Sequence, residues 1–260
     1  MSFEQLSNAQ LLVKESTAQG SYKVFENKLF RWLCFDDEHV IQSCMSQQQP
    51  EKLILPYQQF MMMWQLISFQ VPPVKTCILG LGGGDTVRYL QQQFPLTSLL
   101  VVEKEAAIAK VAADYFQIKP DQKLLTIEIA DAEQFVTKNQ QFDLMLIDIV
   151  VDNKSPYFFN KKSFWEHCKQ NLRSNGVLVV NVLFDSEKNF LDLMSNLQKE
   201  FGHLPLCMGV PEHKNIVMLI STGRMPSISE MKLRCNILQE QSDLPFQQCM
   251  NVLERDNLFF

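Results

Sequence analysis

The sequence lacks the features that mark membrane, secreted and nucleic-acid-binding proteins. No apolar run approaches the roughly 20 residues that a membrane-spanning helix needs. The N-terminus, MSFEQLSNAQ, has no basic start followed by an apolar stretch, so it does not resemble a secretory signal. Bases are in deficit, with 24 lysines and arginines against 29 aspartates and glutamates and a net charge of −5, whereas a nucleic-acid-binding domain usually carries a basic face. These absences predict a cytoplasmic protein with no membrane or nucleic-acid partner, and the acidic balance is compatible with a cationic ligand.

Metal-binding and hydrolytic motifs are missing as well. None of the seven cysteines stands in a CxxC pair, and the four histidines show no ligand spacing with them. We therefore expect reduced, buried thiols and no metal site. No serine occupies a GxSxG turn, which leaves Ser/His/Asp catalysis without a motif. The chain of 260 residues is 46% hydrophobic, so it can bury the core of one large domain with a smaller appendage.

Strand-like and helix-like segments alternate through most of the chain. Short apolar runs begin at Thr76, Leu99, Leu124, Phe142 and Val177, and amphipathic segments separate them. This alternation predicts an α/β domain over residues 72–223, with a parallel sheet covered by helices on both faces.

The segments outside that domain differ in character. Residues 21–46 mix aromatic and β-branched side chains and predict short strands. Residues 53–69, apolar and without turn signals, predict one helix that ends before Pro72-Pro73. We therefore divide the chain into a β-rich N-terminal domain with its linking helix (1–71), the α/β domain, and a helical tail (224–260).

Glycine is scarce, yet four of the nine glycines fall in the turn Gly80-Leu-Gly82-Gly83-Gly84-Asp85 that follows the first strand of the α/β domain. A dinucleotide fingerprint would place glycine or alanine where Asp85 stands, so that motif fails at its last position. The spacing GxGxG fits instead the turn that enzymes using a nucleoside sulfonium compound place beneath it. The alternative is a tight strand-to-helix turn with no ligand.

Carboxylates follow the next two strands, and ligands of an open parallel sheet bind at that edge. Glu103 ends the second strand, where a carboxylate can accept hydrogen bonds from both hydroxyls of a ribose; the alternative is a solvated strand end. Asp131-Ala132 follows the third strand. Asp131 can accept from an adenine amine while a neighbouring backbone N–H reaches a ring nitrogen. It also suits the N-cap of the following helix, and the two roles can coexist.

Two acids follow the fourth strand, in Ile147-Asp148-Ile-Val-Val-Asp152. This strand end lies beside the switch point of the predicted sheet. A carboxylate there can take a proton from an amine nucleophile and attract a cationic substrate. The alternative is that these acids cap a loop.

The order of these motifs resembles the spermidine synthase (polyamine aminopropyltransferase) family, in particular its shorter, divergent bacterial members. The resemblance covers roughly residues 20–222 and rests on Pro56-Tyr57-Gln58, Gly82-Gly83-Gly84-Asp85, Val102-Glu103, Asp131-Ala132, Asp148 with Asp152, and Asn175-Gly176-Val177-Leu178. It implies a seven-stranded, mostly parallel, methyltransferase-like Rossmann sheet with a small N-terminal β-rich domain, and a homodimer.

The resemblance also implies an activity and assigns roles to residues. The co-substrate would be decarboxylated S-adenosylmethionine, and the acceptor a diamine such as putrescine. By this resemblance the nucleoside contacts Gly80, Gly82, Gly83, Gly84, Glu103, Asp131 and Ala132, while Asp85 meets the aminopropyl ammonium, Asp148 is the base, and Tyr57, Gln58 and Asp152 bind the diamine. An unpaired Asp85 would repel the tail carboxylate of ordinary S-adenosylmethionine, which favours the decarboxylated form.

The chain departs from the family pattern on the polyamine side. Thr86-Val87 replaces two glycines, Ile149-Val150-Val151 replaces the polar pair between the two acids, and residues 209–215 replace the segment that closes over the polyamine. Two alternatives therefore stay open, a methyltransferase using S-adenosylmethionine and a binding protein without turnover.

Overall fold

The structure, a computed structural model, describes residues 6–17, 20–38, 40–121, 123–151, 153–184 and 186–257. Asp152, to which the sequence analysis assigned a role in substrate binding, lies outside the described residues. Within the described part of the chain, no helix combines the length and apolarity that crossing a bilayer requires.

The N-terminal part forms a four-stranded antiparallel sheet in the order β1-β2-β3-β4. Its strands are β1 (Gln10–Thr17), β2 (Gly20–Glu26), β3 (Phe30–Cys34) and β4 (Ile41–Ser46). The predicted strands within 21–46 are confirmed as β2 to β4, whereas β1 was not predicted.

The single helix predicted over residues 53–69 is wrong. The segment forms two short helices, α1 (Pro56–Met61) and α2 (Trp64–Ile67), joined by a turn at Met62-Met63. Residues 60–67 are all buried, and the two helices pack against strands and a helix of the larger domain. Packing on every side, rather than one apolar face, sets the local backbone here.

The larger part is a seven-stranded sheet in the order β10-β11-β9-β8-β5-β6-β7. Its strands are β5 (Lys75–Leu79), β6 (Ser98–Glu103), β7 (Leu125–Ile129), β8 (Phe142–Ile147), β9 (Leu172–Leu183), β10 (Leu206–Gly209) and β11 (Asn215–Ser221). The pairs among β5 to β9 are parallel, and β11 runs antiparallel to both of its neighbours. The predicted fold, a mostly parallel Rossmann-like sheet with a small N-terminal β-sheet, is confirmed.

Helices cover both faces of this sheet. They are α3 (Asp85–Gln93), α4 (Ala106–Tyr115), α5 (Ala132–Phe135), α6 (Lys162–Gln170), α7 (Glu187–Phe201), α8 (Ile228–Gln241) and α9 (Phe246–Asp256). Side chains of α8 and α9, among them Met231 and Phe246, belong to the hydrophobic core on one face, and those of α6 and α7 to the core on the other. The seven cysteines are buried, as their apolar surroundings predicted.

The strand register brings several strand ends to one level. Leu79 of β5 pairs with Val102 of β6 on one side and with Ile147 of β8 on the other. Since β6 and β8 lie on opposite sides of β5, the carboxyl ends of β5 and β8 form the switch point of the sheet. The residues that follow these positions, Gly80, Glu103 and Asp148, therefore lie side by side.

Candidate active site

A cavity of about 680 Å³ opens above the carboxyl ends of β5 to β8, with residues of the N-terminal sheet on its opposite wall. Its volume is within the range of small-molecule sites, roughly 300–1,000 Å³. Of the residues that the sequence analysis singled out, those that line it are Tyr57, Gln58, Gly80, Gly82, Asp85, Glu103, Asp131, Ala132 and Asp148. Gly83 and Gly84 lie in the same turn but do not line the cavity.

The glycine turn is packed tightly against protein atoms. A Cβ on Gly80, whose φ is +96°, would stand 2.2 Å from the backbone oxygen of Asp148 on the neighbouring strand. A Cβ on Gly83 would come within 2.8 Å of the Ser43 side chain, and the Gly83 N–H donates to Ser43 Oγ at 2.7 Å. Close packing alone therefore accounts for these glycines. They do not by themselves indicate a ligand site, whereas the side chains around the turn can.

Glu103 is not a solvated strand end. Its Oε2 accepts from the Leu81 N–H at 3.1 Å and its Oε1 from the Glu105 N–H at 2.9 Å. Burial raises the pKa of this carboxyl, and the backbone donors offset part of the rise. Backbone donors thus hold the carboxylate in one orientation at the cavity wall.

Asp131 serves as a helix N-cap, which was one of its two predicted roles. Its Oδ1 accepts from the Glu133 N–H at 2.9 Å at the start of α5. Its Oδ2 lies 3.2 Å from Lys104 Nζ, and both side chains are partly exposed. The cap aims the carboxylate at the cavity rim, so the capping role leaves the proposed adenine contact open.

Asp148 lies at the centre of a polar network inside the cavity. Asn181 Nδ2 donates to Asp148 Oδ1 at 2.8 Å, and the Tyr57 hydroxyl, which donates to the Gln42 backbone oxygen at 3.5 Å, lies near the same carboxylate. Burial raises the pKa of Asp148 to about 6; the Asn181 hydrogen bond and the nearby Tyr57 hydroxyl oppose this rise, and the charge of Asp85 adds to it. Burial and the charges of Asp148 and Asp85 raise the pKa of Tyr57 well above its usual value, so its hydroxyl stays protonated.

Asn181 is a site residue that the sequence analysis missed. The parallel register pairs Ile147 with Val180, which places Asn181 beside Asp148. Asn181 is buried, and its Oδ1 accepts from Asn215 Nδ2 at 2.9 Å. A buried amide inside the apolar strand Val-Val-Asn-Val-Leu was the signal that could have found it, because such a side chain requires hydrogen-bond partners.

The contacts of Asp85 differ from those of an unpaired carboxylate. Its Oδ1 forms an ion pair with Arg88, one turn later on α3. Its Oδ2 accepts from the Cys44 N–H at 3.0 Å and from Gln58 Nε2 at 3.1 Å. Arg88 was not singled out from the sequence. The sequence analysis favoured the decarboxylated co-substrate because an unpaired Asp85 would repel a tail carboxylate. Asp85 is paired with Arg88, so that reason no longer holds.

The remaining wall is partly apolar. Ile149, Val150 and Val151, which follow β8, all line the cavity, and Val151 is 42% exposed. None of residues 209–215, all of them described, contributes to the lining. Of the departures noted in the sequence, Thr86-Val87 and Ile149–Val151 therefore line the cavity, whereas residues 209–215 lie away from it.

Comparison with known proteins gives two kinds of relative. The chain is 25% identical over 220 residues to a polyamine aminopropyltransferase of Neisseria meningitidis, which covers 84% of this chain and 83% of the relative. The structure superposes on a spermidine synthase in complex with the transition-state analogue AdoDATO, with a TM-score of 0.72, 16% identity, and coverage of 96% of this chain and 89% of that one. Human methyltransferase-like protein 13 in complex with SAH gives a TM-score of 0.66 and 18% identity over 72% of this chain and 91% of that one.

No protein-family model matches the sequence, so the assignment depends on these relatives and on the fold. Sequence similarity to the aminopropyltransferase extends over most of both chains, and the spermidine synthase shares both the N-terminal sheet and the larger sheet. The chain is therefore distantly similar, over most of its length, to the polyamine aminopropyltransferases, and it has the fold of spermidine synthase.

Proposed function

We propose that this protein is a polyamine aminopropyltransferase, which moves the aminopropyl group of decarboxylated S-adenosylmethionine to a diamine such as putrescine. The observation that carries the proposal is the environment of Asp148, an enclosed carboxylate at the switch point whose pKa is raised to about 6. A base is most effective when its pKa lies near the working pH, because it is then ionised and still basic enough to accept a proton.

The donor half of the cavity fits a nucleoside. Glu103, held by two backbone donors, would accept from the ribose hydroxyls, and Asp131 with the Ala132 N–H would contact the adenine. Gly80 and Gly82 line the floor of the cavity without side chains. The pre-ordered oxygens of Glu103 support this assignment, since a fixed acceptor loses little conformational entropy when a ligand binds.

The acceptor half of the cavity would supply the proton transfer. When bound, the donor provides a carbon made electrophilic by the adjacent sulfonium. Asp148 would accept the proton that the amine nitrogen loses as the new C–N bond forms and the C–S bond breaks. Asn181 donates to this carboxylate and so holds it in one orientation, and the Tyr57 hydroxyl lies beside it. Alignment in an enclosed site then does most of the catalytic work.

The diamine would be bound around that base. Tyr57 and Gln58 line the cavity beside Asp148, and Asp152 follows four positions later in the chain. We assign these three residues to the diamine site, as the family resemblance implies. A homodimer and a cytoplasmic location, which the sequence analysis also expected, remain predictions.

A second candidate function is methyl transfer from ordinary S-adenosylmethionine. One observation favours it specifically: the ion pair with Arg88 offsets part of the negative charge of Asp85, so this acid opposes a donor with a tail carboxylate less than an unpaired acid would. The similar fold of methyltransferase-like protein 13 is consistent with this candidate.

A product assay separates the two functions. Purified protein is incubated with putrescine and decarboxylated S-adenosylmethionine, or with the ordinary form, and the amines are identified by mass spectrometry. Spermidine formed only with the decarboxylated donor supports the proposal. A methylated amine formed from the ordinary donor favours methyl transfer, and no product from either points to a binding protein.

A further inference from the structure

Three donors from the protein bind the carboxylate of Asp85. One oxygen is paired with Arg88, and the other accepts from the Cys44 N–H and from Gln58 Nε2. The side chain of Asp85 is 1% exposed and that of Arg88 is 7% exposed. With three donors and a full counter-charge in place, Asp85 has little capacity left to bind a ligand cation.

The Arg88 guanidinium is itself fixed. Its Nε donates to the Pro50 backbone oxygen at 2.7 Å, and its Nη1 donates to the oxygens of Gly83 and Phe116 at 2.5 and 2.8 Å. The planar guanidinium thus joins the glycine turn, the end of α4 and the segment after β4. An arginine bonded on all sides in this way is not free to leave Asp85 when a ligand enters.

The ion pair and its partners come from the N-terminal sheet, the segment after it and the larger domain. Cys44 lies on β4 of the N-terminal sheet and Gln58 on α1, while Asp85 and Arg88 lie on α3 of the larger domain. The neighbouring contact between Ser43 Oγ and the Gly83 N–H ties the same strand to the same turn. These buried contacts connect the N-terminal sheet to the glycine turn at the cavity wall.

We propose that Asp85 and Arg88 form an ion-paired latch that fixes the N-terminal sheet to the glycine turn, and that the donor site therefore selects only weakly against a tail carboxylate. This inference concerns donor choice at the site of the proposed function and rests on that function. Its consequence is that the protein binds ordinary and decarboxylated S-adenosylmethionine with affinities within about tenfold of each other. An unpaired acid about 4 Å from the tail carboxylate would weaken binding of the ordinary form roughly 10³-fold at an effective dielectric constant of 20.

The first test is calorimetric titration of the wild-type protein with each of the two nucleosides, at one pH and ionic strength. Affinities within about tenfold of each other support the latch. If the wild-type protein prefers the decarboxylated form by 100-fold or more, and this preference is smaller in Asp85→Asn, the latch is refuted. The product assay above is separate: similar affinities with no spermidine reject the proposed function and leave the latch standing.

The second test needs no ligand. Removing one partner of a buried ion pair leaves an uncompensated charge, so Asp85→Asn is expected to lower Tm by at least about 5 °C. The matched control is Glu128→Gln, which removes the acid of the exposed pair Lys138–Glu128 and should change Tm by less than about 2 °C. The double variant Asp85→Asn/Arg88→Met should lose less than the sum of the two single losses, because the two side chains act as a unit.

These melting data test whether Asp85 and Arg88 form the latch even if neither nucleoside binds. If Asp85→Asn fails to fold while Glu128→Gln folds normally, that failure counts as the predicted loss. A change of Tm in Asp85→Asn no larger than in the control overturns the latch, as do single losses that simply add in the double variant.

Discussion

Asn181 should control the pH range over which Asp148 can act as the proposed base, although Asn181 does not line the cavity. Asn181 Nδ2 donates to Asp148 Oδ1 at 2.8 Å, and this bond lowers the pKa of a carboxyl that burial raises to about 6. A hydrogen bond to a charged group contributes about 1.5–3 kcal/mol, and one pKa unit corresponds to about 1.4 kcal/mol. Asn181→Ala removes a donor to the ionised form, so the pKa of Asp148 should rise by about 1–2 units, to about 7–8.

The expected effect on activity follows from the ionised fraction of Asp148. At pH 7 that fraction is about nine-tenths for a pKa of 6 and falls to between about a half and a tenth after the rise. Turnover at pH 7 should therefore fall by roughly 2–10-fold and recover near pH 9, where the base is ionised in both proteins.

The assay is the acid limb of the kcat profile between pH 5 and pH 9. The control is Asn215→Ala, which removes the donor to Asn181 Oδ1 but leaves the Asn181 amide on Asp148, so the acid limb should shift by less than about half a unit. A variant that is merely less well packed would lose activity equally at every pH. An acid limb unchanged in Asn181→Ala would refute the argument that this bond sets the pKa of the base.

Three further predictions concern the base, the nucleoside site and the C-terminal helices. Asp148→Asn should lower turnover by roughly 10²–10⁴-fold, the usual contribution of a general base, with nucleoside affinity by calorimetry nearly unchanged; normal turnover would remove Asp148 from that role. Glu103→Ala should weaken nucleoside binding by about tenfold or more through loss of a charged acceptor, and equal affinity would show that the ribose is held elsewhere. Phe246→Ala should cost about 3–5 kcal/mol, because this α9 side chain is fully buried in the core, and scanning calorimetry should show Tm lower by about 6–20 °C. An unchanged Tm would contradict the placement of α9 in the core.

The sequence was most informative where local pattern decides structure. Buried strands are short apolar runs, so their carboxyl ends could be located within a residue or two, and Glu103, Asp131 and Asp148 were found because each ends or follows such a run. The start of β9 was placed at Val177, five residues too late, because its first residues are polar. The same reasoning failed for residues 53–69, because a segment buried on all sides has no amphipathic period from which its helix boundaries can be predicted.

Residues that act through distant partners were harder to find. Asn181 could have been singled out as a buried amide in an apolar strand, but its contact with Asp148 depends on the register between β8 and β9. Arg88 carried no signal of its own, since a lone arginine on a predicted helix is usually exposed to solvent. Only its contacts with Asp85 and three backbone oxygens show that it is buried and paired.

By itself, the sequence determined the order of strands and helices and the set of acids at the edge of the sheet, because hydrophobic periodicity and strand ends are local properties. The tertiary structure decided what those acids do. Asp85 accepts hydrogen bonds from Cys44 and Gln58, which lie 41 and 27 positions away in the chain, and it forms a buried ion pair with Arg88. From the sequence alone, Asp85 was predicted to bind a ligand cation. The charge state of a site is set by every group that packs around it, and long-range packing cannot be predicted from the residues next to a motif.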